Sequence, residues 1–372
     1  TAAAAAMVHT CAALYPACPE GLRCGTLQPK ELPGMVFDCA MAGPSVSPGH
    51  DTVLPHDLTG AMSTPGSSSR GNVYLLHGDD GARSKAMWTE TMLQLSARGY
   101  NTLACDQRGF SPGASPNRPE AYNYDTLASD IMSITGAAGF GDSFGGRFHA
   151  VAHDQGARVV WHSIALGLTR DRLLSFSSLS IPHADVFSSN VCCGDGVEQV
   201  DQTAQQYVRQ LTLNSSVTVN HNAIFRQFCF TLGFNTTEWC QKTFWWYNGA
   251  IDAGAMAVAP LMPFERSIAS KIDIPFDMVR QMTPYPLDGV PQTVKVGVVR
   301  DFPVFFACGS EDTCDLCEPR VVSQTASMVA SAFTSVINEC GHALIDPAKC
   351  PDQEERQKVI NGIVANIEAG NA

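Results

Sequence analysis

The stretch FHAVAHDQGARVVW, residues 148–161, joins an apolar run, a short polar turn and an amphipathic run in immediate succession. This succession is the most informative indication of the fold in the sequence. FHAVA has the length and composition of a buried strand, HDQG those of a tight turn, and ARVVWHSIALGL the period of a helix. A strand that turns sharply into a helix thrusts the residue at the turn above the edge of its sheet. The sequence therefore predicts a nucleophile elbow with Asp154 at its tip and Gly156 where the helix packs closely.

A second candidate nucleophile, Ser143, stands in Gly-Asp-Ser-Phe-Gly, which satisfies the Gly-x-Ser-x-Gly pattern of serine esterases. The residues before it, SITGAAGFGD, are too rich in glycine for a buried strand, and a strand follows Ser143 instead of preceding it. We therefore expect Ser143 to lie in a loop between a helix and the next strand. For Asp154 the structural alternative is a carboxylate that only caps the following helix.

Short apolar runs separated by helical stretches recur along the chain, as is typical of a parallel sheet buried on both faces. The runs are VYLLH (73–77), NTLAC (101–105), FHAVA (148–152), LLSFSSLS (173–180), PVFFAC (303–308) and FTSVIN (333–338). Active sites in such sheets gather at the carboxyl ends of the strands. The last two runs end in GSEDTC and ECGHALID, which offer Asp312 and His342. The chain order Asp154, Asp312, His342 is the nucleophile, acid, base order of the α/β-hydrolase fold.

The alternation of strands and helices is interrupted between residues 183 and 295, where Cys192, Cys193 and most of the tryptophans fall. An excursion of this length between two strands predicts a separate lid over the core. We expect four parts: a Cys-rich N-terminal extension lying over the domain, a first part of the core, a helical cap, and a second part of the core, at residues 1–34, 35–182, 183–295 and 296–372. Residues 43–71 are rich in Gly, Pro and Ser and are expected to form a loop.

The composition narrows the class of partner. The chain carries 24 basic against 36 acidic residues, a net charge of −12, which argues against a nucleic-acid partner because phosphate binding needs clustered Lys and Arg. No uninterrupted apolar run is long enough to span a membrane. Since 45% of the residues are hydrophobic, the chain can bury a full core. We expect a small, apolar substrate.

The 14 cysteines predict disulfides and therefore a secreted protein or one in the lumen of an organelle. Several stand in tight groups: Cys11, Cys18, Cys24 and Cys39; Cys192 and Cys193; Cys229 and Cys240; Cys314 and Cys317; Cys340 and Cys350. The simplest pairing is Cys340 with Cys350, which would close a short loop beside His342. The rival interpretation is zinc at Cys314-x-x-Cys317, but no second pair follows at a usual spacing.

Two further features agree with secretion. Asn214-Ser-Ser and Asn235-Thr-Thr are acceptor patterns for N-linked glycosylation. The chain opens with TAAAAAM, without a basic start and a long apolar run, so we expect that a targeting peptide has already been removed.

From about residue 35 onward, the chain resembles the epoxide hydrolase and haloalkane dehalogenase branch of the α/β hydrolases. The resemblance is carried by VYLLHG (73–78), DQRGFSPGASP (106–116), FHAVAHDQGARVVW (148–161), LSIPHADVF (179–187), WWYNGAI (245–251), GSED (309–312) and CGHALID (340–346). It implies an α/β-hydrolase fold with a mostly parallel central sheet flanked by helices and a helical cap inserted after strand 6. It implies neither a cofactor nor a metal.

The resemblance also assigns roles. Asp154 would attack an electrophilic carbon, and a water activated by His342, which Asp312 orients, would hydrolyse the resulting ester. Backbone N–H groups of Gln155 and Asp79 would hold the oxyanion. The substrate pocket would be lined by His77, Trp245 and Trp246. We expect His153 and His183 to make local hydrogen bonds and not to act as bases.

The leaving group separates the possible activities. Haloalkane dehalogenases have a tryptophan where this chain has Gln155, and fluoroacetate-type dehalogenases have a pair of arginines of which only Arg158 is present. Epoxide hydrolases use two lid tyrosines to protonate the developing alkoxide. WWYNGA resembles their lid motif and supplies Tyr247, for which the alternative is a packing aromatic. We predict Tyr207 as the second donor, with Tyr122 and Tyr124 as substitutes.

Epoxide hydrolysis is therefore the favoured activity, and a dehalogenase is the alternative. A third hypothesis is a non-catalytic, ligand-binding protein of the same fold. It arises because the usual His-Gly-x-Pro is here His-Gly-Asp-Asp, which brings Asp79 and Asp80 near the nucleophile. Such acids could raise the pKa of Asp154 or point to solvent. The presence of nucleophile, acid and base together argues against the third hypothesis.

Overall fold

The architecture is given by a computed structural model, which describes residues 18–44, 56–62, 69–78, 84–114, 116, 121, 124–142, 144–190, 295–312, 316–347 and 349–372. The strands in these ranges are β1 Arg23–Leu27, β2 Phe37–Ala42, β3 His56–Asp57, β4 Asn72–Leu76, β5 Asn101–Cys105, β6 Phe148–His153, β7 Leu173–Leu179, β8 Val304–Gly309 and β9 Ala332–Ile337. The helices are α1 Thr89–Ala97, α2 Tyr124–Ala138, α3 Gln155–Ala165, α4 Ala184–Asn190, α5 Pro319–Ser327 and α6 Gln353–Gly370. Several short 3₁₀ turns connect them.

The strands form one 9-stranded sheet in the order β3-β1-β2-β5-β4-β6-β7-β8-β9. Neighbours from β5 to β9 along this order pair in parallel, whereas β2 is antiparallel to both β1 and β5. All the apolar runs that the sequence predicted as strands are strands. The prediction of a mostly parallel sheet is confirmed, and it places the carboxyl ends of β6, β8 and β9 on one edge. The prediction that FTSVIN forms a buried strand is wrong, because β9 lies at the edge of the sheet and most of its residues are exposed among those that the structure describes.

Helices cover both faces of the sheet because successive side chains of each strand point to opposite faces. Tyr74 and Leu76 belong to one apolar cluster with residues of α2 and α3. Val73 and Leu75 belong to a second cluster, which contains residues of α1 and α6. Every residue of β6 is buried, so the strand that leads to Asp154 is fixed from both sides.

The N-terminal extension differs from its prediction, since part of it belongs to the sheet. β1 lies within residues 1–34 and pairs with β2, from Arg23 opposite Met41 to Leu27 opposite Phe37. This pairing fully buries Leu27, which explains why the segment joins the sheet instead of lying over it. The predicted loop at 43–71 likewise contains the short strand β3, which pairs with β1.

The described segment that follows β7 is joined to the described segment that begins at residue 295. The carboxylate of Asp185 accepts hydrogen bonds from the N–H groups of Val296 and Gly297, each at 3.0 Å. The His183 ring accepts the Asp185 N–H at Nδ1 and donates from Nε2 to the Gly297 carbonyl at 3.0 Å. His183 thus makes local hydrogen bonds, as predicted. Residues 191–294, which make up most of the cap predicted at 183–295, lie outside the described residues.

Disulfides in the described ranges join Cys18 to Cys24, Cys39 to Cys105, Cys308 to Cys317, and Cys340 to Cys350. The predicted Cys340–Cys350 pair is therefore confirmed. Cys317 is bonded to Cys308, which contradicts the zinc alternative because a disulfide sulfur does not serve as a thiolate ligand. No cluster of three or more His, Cys, Asp and Glu residues suited to a metal occurs in the described ranges. None of the described helices has the length and apolar character needed to cross a membrane.

Candidate active site

Asp154 stands between the end of β6 and the start of α3, as the elbow prediction requires. Its backbone has φ 49° and ψ −123°, a combination that residues other than glycine rarely adopt. Such strain costs about 1–3 kcal/mol and is concentrated at functional sites. The side chain forms no capping hydrogen bond with α3, so the geometry does not match the alternative of a helix cap. The strained turn instead presents a carboxylate at the sheet edge.

Two glycines allow the backbone to close tightly around this carboxylate. A Cβ atom on Gly156 would lie 2.6 Å from the His77 carbonyl oxygen, so only glycine lets α3 approach β4 this closely. The predicted close packing at Gly156 is thus confirmed. A Cβ atom on Gly78 would lie 2.6 Å from Cβ of Asp154 and 2.8 Å from its Oδ2. The turn after β4 therefore lies directly against the Oδ2 side of the carboxylate.

The structure brings Asp154, Asp312 and His342 together at the carboxyl ends of β6, β8 and β9. His342 Nδ1 lies 2.7 Å from Oδ2 of Asp312 and donates a hydrogen bond to it. His342 Nε2 points to Oδ1 of Asp154 at 3.2 Å. The Asp312 side chain is fully buried, whereas 20% of the His342 side chain and 14% of that of Asp154 are exposed. One imidazole therefore bridges a buried carboxylate and an accessible one.

The two loops that carry Asp312 and His342 are interlocked. We call the chain between β8 and α5, which carries Asp312, the acid loop, and the chain between β9 and α6, which carries His342, the base loop. The Glu311 N–H donates to the Cys340 carbonyl at 2.9 Å. A Cβ atom on Gly309 would collide with the carbonyl oxygens of Cys340 and Gly341. Asp312 and His342 are thus positioned by backbone contact as well as by their own hydrogen bond.

The ends of β6 and β7 also hold the base. The His342 carbonyl accepts hydrogen bonds from His153 Nε2 at 3.0 Å and from the Ser180 hydroxyl at 2.5 Å. Ser180 directly follows β7 and has a φ of 63°. The prediction that His153 serves as a hydrogen-bonding residue agrees with this contact. Sequence reasoning missed Ser180, and the available signal was its position at the end of a strand beside the elbow.

His77 supports the turn at Gly78. Its Nε2 accepts the Gln107 N–H at 2.9 Å, so the ring proton is on Nδ1, which donates to the Gly78 carbonyl at 2.8 Å. The Gln107 side-chain amide donates to the His77 carbonyl. Burial lowers the pKa of His77 to about 4, so its ring is neutral at pH 7. His77 was predicted to line the substrate pocket, but it is fully buried with both ring nitrogens bonded to backbone.

The segment that supplies Gln107 is anchored by a buried ion pair. Arg108 donates to Asp130 of α2 from Nε and Nη2, at 2.7 and 2.6 Å. Both side chains are almost fully buried, and such bidentate pairs are geometrically specific. The DQRG motif after β5 therefore connects α2 to the turn that faces Asp154.

Of the two residues predicted to form the oxyanion hole, Gln155 lies in the described ranges and Asp79 does not. Gln155 is the first residue of α3, where the backbone N–H groups have no partner within the helix. Its side chain is buried, and its Oε1 accepts no hydrogen bond from the residues that the structure describes. Asp79 and Asp80 lie outside the described residues, although Gly78, which precedes them, contacts Asp154.

Other predicted residues also lie outside the described ranges: Ser143, Tyr122, Tyr207, Tyr247, Trp245 and Trp246. On either side of Ser143, 3₁₀ turns at Phe140–Asp142 and Phe144–Gly146 precede β6, so the order is turn and then strand. Tyr124 begins α2, and the Arg158 guanidinium carbon lies 5.3 Å from its ring centroid and 5.1 Å from that of Phe187. Arg158 thus packs against two aromatic rings.

Comparisons with known proteins agree with this geometry. The Alpha/beta hydrolase family matches residues 73–354. Epoxide hydrolase A of Mycobacterium tuberculosis is 34% identical over 95 residues, which are 26% of this chain and 27% of that protein. Epoxide hydrolase 2 of Siraitia grosvenorii is 29% identical over 94 residues, 25% of this chain and 28% of that protein. The chain thus aligns with less than a third of the length of either relative.

Solved structures resemble most of the chain. One from a study of novel epoxide hydrolases in metagenomes from hot environments has a TM-score of 0.56 at 18% identity, covering 92% of this chain and 98% of that one. The crystal structure of an epoxide hydrolase from Vigna radiata has a TM-score of 0.54 at 15% identity, covering 94% and 99%. At such low identity these two likenesses concern the fold alone.

Proposed function

Because the chain belongs to the alpha/beta hydrolase family, we propose that it hydrolyses epoxides to vicinal diols through an ester on Asp154. The observation that carries the proposal is the His342 ring between Asp312 and Asp154, at 2.7 and 3.2 Å. A base in this position activates water next to the carboxyl carbon of Asp154. The relatives named epoxide hydrolases support the choice of substrate.

In the first half-reaction the carboxylate of Asp154 attacks an epoxide carbon, and the carbon–oxygen bond of the strained ring breaks. The product is an alkyl ester of Asp154, and the negative charge moves to the former epoxide oxygen. That alkoxide takes a proton, for which we assign Tyr247 and Tyr207 as donors. This half-reaction needs the position of Asp154 and the proton donors.

The two oxygens of Asp154 have different surroundings, which suggests different roles. Oδ1 faces His342, whereas Oδ2 lies beside Gly78. Gly78 is the residue that precedes Asp79 in the sequence. We assign Oδ1 as the attacking oxygen and Oδ2 as the oxygen that becomes an oxyanion during hydrolysis. Backbone N–H groups of Gln155 and Asp79 would stabilise that charge.

In the second half-reaction His342 Nε2 takes a proton from water, and the water oxygen attacks the carboxyl carbon of Asp154. The imidazolium that forms is stabilised by the Asp312 carboxylate at Nδ1. The tetrahedral intermediate then collapses: the His342 imidazolium gives its proton to the former Oδ1, which leaves with the diol, and Asp154 keeps one oxygen from water. The second water proton returns through solvent to the tyrosine donor. Only this half-reaction requires the acid and the base.

The environment of Arg158 bears on the dehalogenase alternative. A haloacid would need free arginines to bind its carboxylate, but Arg158 packs against the rings of Tyr124 and Phe187. A haloalkane would need a halide-binding tryptophan where Gln155 stands. Both observations favour an epoxide.

The test is a screen of the purified protein against epoxides, haloalkanes, haloacids and simple esters. Epoxides should be turned over, and Asp154→Ala should abolish that turnover while Ser143→Ala leaves it within a few-fold of the parent. An equal loss in both variants would show that the nucleophile is assigned wrongly. Ligand binding without turnover in any class would support the non-catalytic hypothesis.

Trapping the ester identifies the substrate class independently of steady-state rates. His342→Gln should form the ester but not hydrolyse it, so the protein gains mass and then stops. An epoxide adds its whole mass because nothing leaves, whereas a haloalkane adds its mass less that of the hydrogen halide. A mass gain of the second kind would assign the protein as a dehalogenase.

Tyr247→Phe tests the proton donor. It should slow ester formation from an epoxide, since one donor in an oxyanion site is commonly worth about 2.7–4 kcal/mol. A halide leaving group needs no proton, so a haloalkane should be affected much less. Unchanged ester formation from an epoxide would exclude Tyr247 as the donor.

We also propose that the protein works in an oxidising compartment, outside cells or in the lumen of an organelle. The disulfides in the described residues support this, because disulfides persist in such compartments. Intact mass of the protein from its native source, before and after reduction, should reveal these bonds. Free thiols at all of these positions would contradict the proposal.

A further inference from the structure

Two of the disulfides enclose the acid and the base. Cys308–Cys317 spans the acid loop, with a sequence separation of 9, and Asp312 lies between the two cysteines. Cys340–Cys350 spans the base loop, with a separation of 10, and His342 lies between them. The other disulfides among the described residues enclose neither Asp312 nor His342. Cys18–Cys24 joins a residue before β1 to a residue of β1, and Cys39–Cys105 joins the paired strands β2 and β5.

Each enclosing disulfide ties the far end of its loop to a fixed part of the fold. Cys308 is a buried residue of β8, so its bond holds Cys317, near the start of α5, against the sheet. Cys340 and Cys350 are both fully buried, and the Cys350 carbonyl accepts a hydrogen bond from Arg356 of α6 at 2.5 Å. Each crosslink therefore limits how far its own loop, with Asp312 or with His342, can move from the core.

The two bonds differ in accessibility. Cys317 is partly exposed, whereas Cys308, Cys340 and Cys350 are buried. Exchange requires a thiolate to reach one sulfur of the disulfide. A soluble dithiol should therefore open Cys308–Cys317 before Cys340–Cys350.

We propose that these two disulfides position the acid and the base, and that reduction of Cys308–Cys317 strongly slows ester hydrolysis while the sheet remains folded. The proposal rests on the proposed function of the same site. One thiolate of the reductant attacks the Cys317 sulfur and releases the Cys308 thiolate, which leaves a mixed disulfide between Cys317 and the reductant. The second thiol of the reductant then attacks the reductant's own sulfur in this mixed disulfide and releases Cys317. The products are two cysteine thiols and a cyclic oxidised reductant.

The half-reactions should respond differently to reduction. Asp154 is held by β6, α3 and Gly78, and neither disulfide lies in these elements. Ester formation should therefore survive. Hydrolysis should fall about 100-fold, the loss that a misplacement of about 1 Å can cause. Reduced protein should thus accumulate the ester of Asp154, as His342→Gln does.

The experiment titrates the full-length protein with dithiothreitol at neutral pH. At each step, pulse alkylation and peptide mass report which cysteines are free, and circular dichroism reports the fold. Addition of an epoxide then shows whether the ester accumulates. We expect accumulation to follow alkylation of Cys308 and Cys317 while the circular dichroism spectrum is unchanged. Loss of turnover only together with loss of the spectrum would overturn the proposal.

A pair of variants provides the matched control. Cys308→Ala with Cys317→Ala should accumulate the ester, whereas Cys18→Ala with Cys24→Ala, which removes a disulfide remote from the acid and base loops, should keep the parent's hydrolysis rate. If the first pair fails to fold, the dithiothreitol titration of the unaltered protein decides the question. Parental hydrolysis in a folded protein without Cys308–Cys317 would overturn the proposal.

A readout without turnover separates this proposal from the proposed function. The proton on His342 Nδ1, hydrogen-bonded to Asp312, should give a strongly downfield nuclear magnetic resonance signal that His342→Gln removes. Reduction of Cys308–Cys317 should broaden or abolish that signal. If no epoxide is a substrate, the proposed function fails, and loss of this signal still supports the positioning role. Persistence of the signal after reduction would overturn it.

Discussion

Asp154, the proposed nucleophile, and Asp312 and His342, the proposed acid and base, are held in place by different means. Asp154 stands on a turn between two adjacent elements, and glycines at 78 and 156 let the backbone close around it. Asp312 and His342 stand on separate loops, each closed by a disulfide, and the His342 carbonyl also accepts hydrogen bonds from His153 and Ser180. The nucleophile is thus positioned by local backbone geometry and the base by contacts between distant segments. Perturbations of the two regions should stop the reaction at different steps.

The largest expected effect is that of Gly78→Ala. The new Cβ would lie 2.6 Å from Cβ of Asp154, so the carboxylate must shift. A shift approaching 1 Å should slow ester formation about 100-fold. The measurement is the rate of mass gain in a His342→Gln background, where the ester persists. The control is Gly136→Ala in α2, where a Cβ meets nothing within 4 Å. A parental rate of ester formation in Gly78→Ala would contradict the claim that the close contact with Gly78 positions Asp154.

Gly309→Ala should affect the opposite step. Its Cβ would collide with the carbonyl oxygens of Cys340 and Gly341, so the acid and base loops must separate. Ester formation should proceed, and hydrolysis should fall by up to about 100-fold. Single-turnover mass spectrometry distinguishes the two steps, and circular dichroism checks the fold. Slower ester formation with unchanged hydrolysis is the result that this account cannot accommodate.

Ser180→Ala should have a smaller effect on the same side. It removes one of the two hydrogen bonds to the His342 carbonyl, and such a bond contributes about 1 kcal/mol, roughly fivefold in rate. The loss should appear in hydrolysis and not in ester formation. Ser129→Ala, which removes a similar hydroxyl-to-carbonyl bond on an exposed face of α2, should change neither rate. Equal effects of the two variants would deny Ser180 a positioning role.

The smallest effect at neutral pH concerns His77 beneath the nucleophile. Its pKa falls from 6.5 to about 4 on burial, so between these values the unfolded chain binds a proton that the folded chain does not. This contribution to the free energy of unfolding is complete above pH 6.5 and is lost as the pH falls towards 4. His77→Gln should therefore flatten the fall of the urea midpoint between pH 7 and 4.5. An unchanged slope would show that His77 does not titrate in this way.

The elbow around Asp154 could be predicted from the sequence because its determinants are neighbours in the chain. The apolar run before Asp154, the glycine after it and the amphipathic run that follows are enough to indicate the elbow. The parallel strands were predicted for the same reason, since each buried strand is one short apolar run. Asp312 and His342 were found because each follows such a run.

What joins the acid and base loops could not be predicted, because it depends on segments far apart in the chain. The bond from Cys317 goes to Cys308 in β8, whereas the spacing of the cysteines only grouped Cys317 with Cys314. The contact of Ser180 with the His342 carbonyl spans 162 residues. β1 was missed because its pattern of alternating burial is short, and it becomes a strand only by pairing with β2.

The most direct test of the central claim, that Asp154 attacks the substrate, is a single turnover in water labelled with heavy oxygen. If Asp154 forms an ester, its own oxygen enters the first product and an oxygen from water replaces it. With enzyme in excess over an epoxide, the diol should be unlabelled, and the peptide that contains Asp154 should carry the label. Label in the first-turnover diol, with none in that peptide, would contradict the account.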